Sequence, residues 1–306
     1  MTVLVTGGAG FIGSPIAERL TELGYPVRVL DDLSTGNEEN MKSFITRVEF
    51  VKGSYGNREL LKKSLDGVDL VIHNAAFLGV KRTIENPWQV LEINNYFNHI
   101  FFDEISRSKV KKLIFASSSE VYGEPVQIPE VENQPLRCET PYQICKRLSE
   151  TYCQVLYKQY SIDTCSFRYF NVYGPRQNST PYGFVIAIFL ARAMRGEPLI
   201  IHGDGTQTRD FTYISDVVDA NISAISKETR GEIFNIGADS EISVNELADK
   251  VTRLTNKQLD VIHADPIAGD IKRRCADITK ARAHLAYTPK ITLDEGLKMT
   301  LEWSNG

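Results

Sequence analysis

Tyr142 and Lys146 stand four residues apart in Tyr142-Gln143-Ile144-Cys145-Lys146, a spacing that on a helix puts both side chains on one face. An ammonium beside a tyrosine hydroxyl favours the phenolate, so a phenol that normally titrates at about 10 becomes able to accept protons near neutral pH. A second chemical motif opens the chain. Gly7, Gly10 and Gly13 punctuate Gly7-Gly8-Ala9-Gly10-Phe11-Ile12-Gly13, directly after an apolar run and directly before a helical pattern over 14–23. Glycines so spaced allow a tight turn, close backbone approach to a pyrophosphate and close helix packing, with the helix N-terminus facing the phosphates. Asp31 ends the next apolar run, where a carboxylate accepts from ribose hydroxyls and repels a 2′-phosphate. The three features together predict a dinucleotide site that prefers NAD to NADP, with a proton-transfer pair beside it.

The elements needed to position these residues follow from the hydrophobic pattern. Short apolar runs at 3–6, 27–30, 48–52, 70–73, 113–117 and 164–169 alternate with longer helical stretches, which predicts βαβ units and a parallel sheet. The runs are continuously apolar rather than alternating, as strands covered on both faces must be. The expected fold is α/β: a Rossmann-type doubly wound parallel sheet over 1–170, and a smaller C-terminal lobe over 171–306 that returns a strand near Phe234 to the sheet.

With 306 residues, 42% hydrophobic and 24% charged, the chain can bury a sizeable core. A net charge of −4 gives no basic footprint for nucleic acid. No apolar run reaches the roughly 20 residues of a membrane span, and no signal segment is visible, so a cytoplasmic protein with no membrane partner is expected. Five cysteines without a Cys-x-x-Cys pair or a histidine at ligand spacing argue against a metal site.

The spacing Gly-x-x-Gly-x-x-Gly resembles the short-chain dehydrogenase superfamily, in particular its extended sugar-nucleotide branch, and the likeness runs nearly end to end. Asp31-Asp32-Leu33-Ser34-Thr35-Gly36 is similar to the ribose loop of UDP-glucose 4-epimerases, and His73-Asn74-Ala75-Ala76 to the H-x-A-A turn that lies along the cofactor. By this resemblance Gly7, Gly10, Phe11, Ile12, Gly13, Asp31, Asp32, Ser34, Gly36, Ala75, Ala76, Asn94, Tyr142, Lys146 and Tyr169 hold NAD, with Tyr169 bordering the nicotinamide. Ser54 and Tyr55 stand where the family places Asp and an aliphatic residue beside the adenine, and Phe97-Asn98 replaces its usual Gly-Thr.

The same resemblance gives Ser118 the role of the hydroxyl that donates to the reacting sugar oxygen. Ser118-Ser119-Glu120-Val121-Tyr122-Gly123 is similar to the loop of UDP-glucuronate decarboxylases and NDP-glucose 4,6-dehydratases, where Glu120 would act at C5, but Ser119 replaces the dehydratase Asp. In the lobe, Arg168-Tyr169-Phe170-Asn171-Val172-Tyr173-Gly174-Pro175-Arg176 and Gly203-Asp204-Gly205-Thr206-Gln207-Thr208-Arg209-Asp210-Phe211 resemble substrate segments. They imply Asn171, Arg176 and Arg209 at the substrate diphosphate; Lys81 and Arg273 are further candidate cations. The implied activity is epimerisation of a nucleotide sugar, UDP-linked, through a 4-keto sugar. Decarboxylation or dehydration through Glu120 is the alternative, and a non-catalytic NAD sensor a distant third. A homodimer is expected through the aromatic segment Trp88, Leu91, Tyr96, Phe101 and Phe102.

Overall fold

The computed structural model describes residues 1–79, 83, 85–179, 184–267 and 269–305. Strands β1 (Val3–Thr6), β2 (Val27–Asp31), β3 (Val48–Lys52), β4 (Leu70–His73), β5 (Lys112–Ser118) and β6 (Asp163–Tyr169) come first. Short strands β7 (Val172–Tyr173), β8 (Leu199–His202), β9 (Thr208–Arg209) and β10 (Thr212–Tyr213) follow, then β11 (Glu232–Ile236), β12 (Ile242–Ser243) and β13 (Val261–Ala264). Seven of them form one parallel sheet in the order β11-β6-β5-β4-β1-β2-β3. The remaining six pair as β7 with β10, β9 with β12 and β8 with β13.

Alternation along each central strand feeds two separate cores. Val3 and Val5 of β1, Ile72 of β4 and Ile114 of β5 point into one, while Leu4, Val71, Leu113 and Phe115 point into the other. Helices Gly13–Glu22 and Ile214–Ile225 pack together on the first face; helices Asn98–Arg107 and Pro141–Tyr160 pack together on the second. Covering both faces is what demands the continuously apolar runs.

Strand order reverses about β1, which has β4 on one side and β2 on the other. Loops leaving the carboxyl ends of neighbouring strands part there and leave a crevice, the place where doubly wound sheets bind ligands. Five of the segments singled out above sit at such ends: the glycine loop after β1, Asp31 at the end of β2, Ala75 after β4, Ser118 at the end of β5 and Asn171 after β6.

The helix Pro141–Tyr160 begins with a full capping box. Thr140 Oγ1 accepts from the Gln143 amide, the Gln143 side chain accepts from the Thr140 amide, and Pro141 fills the first turn. Its middle is anchored by charge. Arg168 of β6, 1% exposed, donates through Nε and Nη2 to the two carboxylate oxygens of Glu150 at 2.8 and 2.9 Å, and Ser117 of β5 donates to the same group at 2.7 Å. Arg168 also covers the Tyr122 ring at 4.6 Å. Removing one partner would leave a buried, uncompensated guanidinium. Glu150→Ala is expected to destabilise the protein by about 3 to 5 kcal/mol in urea denaturation; a loss under about 1 kcal/mol would contradict this reading of the pair.

Candidate active site

The glycine loop is packed too closely for any side chain. A Cβ on Gly13 would lie 2.1 Å from the Gly7 carbonyl oxygen, and one on Gly7, whose φ is +67°, would lie 2.7 Å from the Ala75 nitrogen. This contact brings the β4 turn against the β1 turn at the mouth of the helix Gly13–Glu22. Asp31 closes the other side. Its carboxylate accepts from the Ala9 amide at 2.9 Å and the Leu33 amide at 2.8 Å, and Gly36 packs so tightly on it that a Cβ would fall 2.8 Å from Oδ1. Burial raises the Asp31 pKa while the two amides pull it down. Asp32 is exposed and accepts from the Ser34 amide at 2.9 Å, the loop-capping arrangement. The Asn74 amide group is buried beside this turn without a hydrogen-bond partner. A side-chain-free cradle, a carboxylate at the end of the second strand and a spare buried amide together fit a dinucleotide.

Asn94 supports the cradle from behind. It lies in a π-helical turn, Glu92–Phe97, and its amide group accepts from the Phe77 nitrogen at 2.8 Å and donates to the Phe77 oxygen at 2.7 Å. That clamp holds the chain that leaves Ala75 and Ala76. Phe11 and Ile12 rest half-buried on the core. Ser54 accepts from the Gly56 amide at 3.1 Å. Two aromatic side chains differ from the sequence expectation. The Tyr55 ring packs edge-on against His73, with its hydroxyl donated to the Ile93 carbonyl at 2.6 Å. Tyr169 accepts from Asn221 at 2.8 Å and is 7% exposed. Both rings are spent on the core, because strand pleat and helix cover turn them inward.

Ser118 ends β5 and caps the following turn, accepting from the Glu120 amide at 3.2 Å. Burial pushes the Tyr142 phenol above its ordinary value, and the Glu120 charge adds to this while the nearby Ser118 hydroxyl pulls the other way. Lys146 does not offset this as the sequence suggested. Its Nζ donates to the Ala116 carbonyl at 2.6 Å and lies 5.8 Å from the centre of the Tyr142 ring, and burial brings its own pKa down to about 8. Tyr142 is therefore a neutral donor in the resting site, and Lys146 is a cation held with little in reserve.

Glu120 is 43% exposed on its side chain and faces Arg274 at 3.7 Å. Arg274 is 1% exposed and also bonds Glu130 at 3.0 Å, the Gly123 carbonyl at 3.3 Å and the Ser119 carbonyl. Sequence reading favoured Arg273, whose guanidinium instead pairs with Glu241 at the surface and is 58% exposed. The buried member of Lys272-Arg273-Arg274 is the one followed by Cys275-Ala276, both buried; that apolar continuation was the available signal. Asp210 was also missed. Its carboxylate gathers the Ala238 amide at 2.7 Å and the Ala276 amide at 3.1 Å, and burial pushes it up to about 7.

Among the described residues, the other candidate substrate-binding groups all have partners. Arg209 pairs with Asp270. Arg176, at φ 71°, reaches across to Ser14 at 3.2 Å and to Glu18 on the glycine-loop helix. Asn171 donates to the Asp210 carbonyl at 2.9 Å. Lys81 lies outside the described residues.

A family model described as the NAD dependent epimerase/dehydratase family matches residues 3–237. The chain belongs to this family. A solved UDP-glucose 4-epimerase of Thermotoga maritima, bound to UDP-glucose, superposes with a TM-score of 0.96 at 36% identity, covering 100% of this chain and 99% of the other. A UDP-glucuronic acid 4-epimerase of Bacillus cereus, in complex with UDP-glucuronic acid and NAD, gives 0.93 at 31% over 100% and 99% of the two chains. A UDP-N-acetyl-alpha-D-glucosaminuronate decarboxylase of Bacillus cytotoxicus is 36% identical over 98% of this chain and 96% of its own. As a member of the epimerase/dehydratase family the chain uses NAD, which the cradle fits.

The Lys146 geometry predicts a pH-dependent stability. Its folded value of about 8 lies below the ordinary 10.5, so the folded protein binds fewer protons between these values. The cost of burial is then complete below pH ~8 and fades as pH rises toward ~10.5. Cofactor-free Lys146→Met is expected to exceed the wild type by about 1 to 3 kcal/mol at pH ~7, with the gap closing by pH ~10. Urea denaturation at both pH values checks this, and a variant less stable than wild type at pH ~7 would contradict it.

Proposed function

We propose that the chain interconverts the C4 epimers of a UDP-linked hexose or hexuronate through a transient 4-keto sugar. The observation that carries this reading is the meeting of Ser118, at the carboxyl end of β5, with Tyr142 and Lys146 of the helix Pro141–Tyr160 beside the dinucleotide cradle, with the Glu120 carboxylate tied to Arg274. Bound NAD would supply reversible hydride acceptance. The protein's own work is on protons and position. Tyr142, protonated at rest, must first release its own proton to solvent; as the phenolate it receives the proton of the sugar 4-hydroxyl and later gives it back, while Ser118 donates a hydrogen bond to the 4-oxygen. Lys146 remains charged at neutral pH, since about 8 is still above neutrality, and steadies the phenolate while it exists. The lobe holds the nucleotide while the ketone turns its other face to the same pair, with Arg209 and Asn171 at the diphosphate.

A second reading, decarboxylation, is favoured by one specific observation: the buried Arg274 guanidinium stands 3.7 Å from the Glu120 carboxylate, on the loop that carries Ser118. On a uronate substrate that carboxylate could assist the loss of carbon dioxide. The buried Ser119 in place of an acid makes dehydration the weaker variant. We also propose a homodimer. Trp88 and Tyr96 are 82% and 58% exposed, and they share a surface with Ile144 and Leu148 of the neighbouring helix, at 49% and 38%. Phe101 and Phe102, expected at that surface, are buried in the second core instead.

Incubation with UDP-glucose, UDP-N-acetylglucosamine and UDP-glucuronate in deuterated water, followed by NMR, separates the two reactions. The expected product is a C4 epimer with no deuterium at C5, and Glu120→Gln should keep turnover within about tenfold of wild type. Deuterium at C5, or carbon dioxide from UDP-glucuronate, would replace epimerisation with the second reading.

A further inference from the structure

A continuous line of buried side-chain hydrogen bonds joins the cofactor floor to the helix that carries Tyr142 and Lys146. Thr6 Oγ1, on the residue just before the glycine loop, lies 2.6 Å from His73 Nδ1. His73 Nε2 lies 3.2 Å from Asn98 Oδ1, Asn98 Nδ2 donates to Ser149 Oγ at 3.0 Å, and Ser149 donates to the Cys145 carbonyl at 2.9 Å. All four side chains are at most 3% exposed.

The direction of every bond follows from its last member. Ser149 spends its one hydrogen on Cys145, so its oxygen must accept, which makes the Asn98 amide nitrogen the donor and leaves Asn98 Oδ1 as an acceptor. His73 then donates from Nε2, its Nδ1 is bare, and Thr6 donates to it. The imidazole must be neutral for this to hold. Burial and the nearby Lys146 charge keep it so, bringing His73 down to about 3, and the ring is stacked 3.9 Å from Phe101.

Asn98 is the pivot, because it joins the imidazole under the glycine loop to Ser149 on the Tyr142 helix, accepting from one and donating to the other. The backbone carbonyl at the end of the line belongs to Cys145, the residue before Lys146. We infer that the Thr6–His73–Asn98–Ser149 line sets the height of the Tyr142 helix above the glycine loop, making Asn98 and Ser149 positioning residues for the proton-transfer pair. A packing role alone would be met by apolar groups of the same shape, and a line of four polar groups buried in the second core has a cost unless every member is satisfied. The inference rests on Tyr142 and Lys146 moving the proton.

Two measurements test it. In the first, kcat and KM for UDP-glucose are compared for Asn98→Ala, Ser149→Ala and the double variant, with Ile105→Val as a packing control in the same core. Acting as one unit, the single variants each lose roughly tenfold or more in kcat, with KM within about threefold, and the double variant loses no more than the worse single. The packing control keeps wild-type kcat. Additive losses, or kcat unchanged in both single variants, would overturn the inference. The second measurement needs no turnover: long-range proton–nitrogen NMR of His73 in the full-length protein should find one neutral tautomer, protonated at Nε2, from pH ~5 to ~8. A hydrogen on Nδ1, or titration in that range, would overturn it too. Should the wild type act on no UDP-sugar, the functional reading fails on the kinetics while the imidazole still decides the hydrogen-bond line.

Discussion

The ion pair between Glu150 and Arg168 is the constraint on which the rest of the site depends. It fastens the middle of the helix Pro141–Tyr160 to β6 directly and to β5 through Ser117, and its remaining donor bonds the Glu132 carbonyl at 3.1 Å. Ser118 is the next residue along β5, and Lys146 and Tyr142 lie one and two turns earlier on the same helix. The distance between the serine and the phenol is therefore set by a charge pair that touches neither. A buried pair of this kind adds little net stability compared with an apolar core, but it admits only one geometry, and a bidentate fork fixes both separation and rotation.

Charge elsewhere in the molecule joins segments that are far apart in the chain. Arg274 comes from the last quarter of the chain, yet its guanidinium sits under the catalytic loop, bonded to the carbonyls of Ser119 and Gly123. Arg176 reaches the opposite way, from the lobe to the helix that follows the glycine loop. Asp210, between β9 and β10, ties in the segment after β11 and the segment around Cys275 through the amides of Ala238 and Ala276. Besides the apolar core that residues 171–306 share with the sheet, these polar contacts tie the two parts of the chain together around the crevice.

Much of this was legible in the sequence because it is local. A strand covered on both faces must be apolar, so the fully buried β1 and β4 could be bounded to the residue and β2, β5 and β6 to within one at each end; the edge strand β3, with Glu49 and Lys52 exposed, was bounded by its Val and Phe residues instead. The glycine loop and the Tyr142–Lys146 spacing are likewise rules about neighbours in the chain. What the sequence did not yield is direction. Tyr55, Tyr169, Phe101 and Phe102 are as apolar as any cleft or interface residue, and only the tertiary packing turns them inward. Partners across the chain were equally hidden: Arg274 and Glu130 are 144 residues apart, and nothing local distinguishes Arg274 from Arg273 except the buried residues that follow it. The weak coupling of Lys146 to Tyr142 came from burial, which lowers the lysine and raises the phenol together, whereas spacing alone suggested only attraction.

The central claim is that one phenol, supported by Ser118 and Lys146, moves the proton at the sugar 4-oxygen in a chain otherwise built to hold NAD and a nucleotide sugar still. Tyr142→Phe removes one oxygen from a partly buried ring and nothing from the Glu150–Arg168 anchor or the glycine cradle. Turnover of the sugar nucleotide should fall by roughly two to four powers of ten, while NAD content and the urea midpoint stay close to wild type. Turnover retained within about threefold of wild type, at full NAD content, would contradict the account.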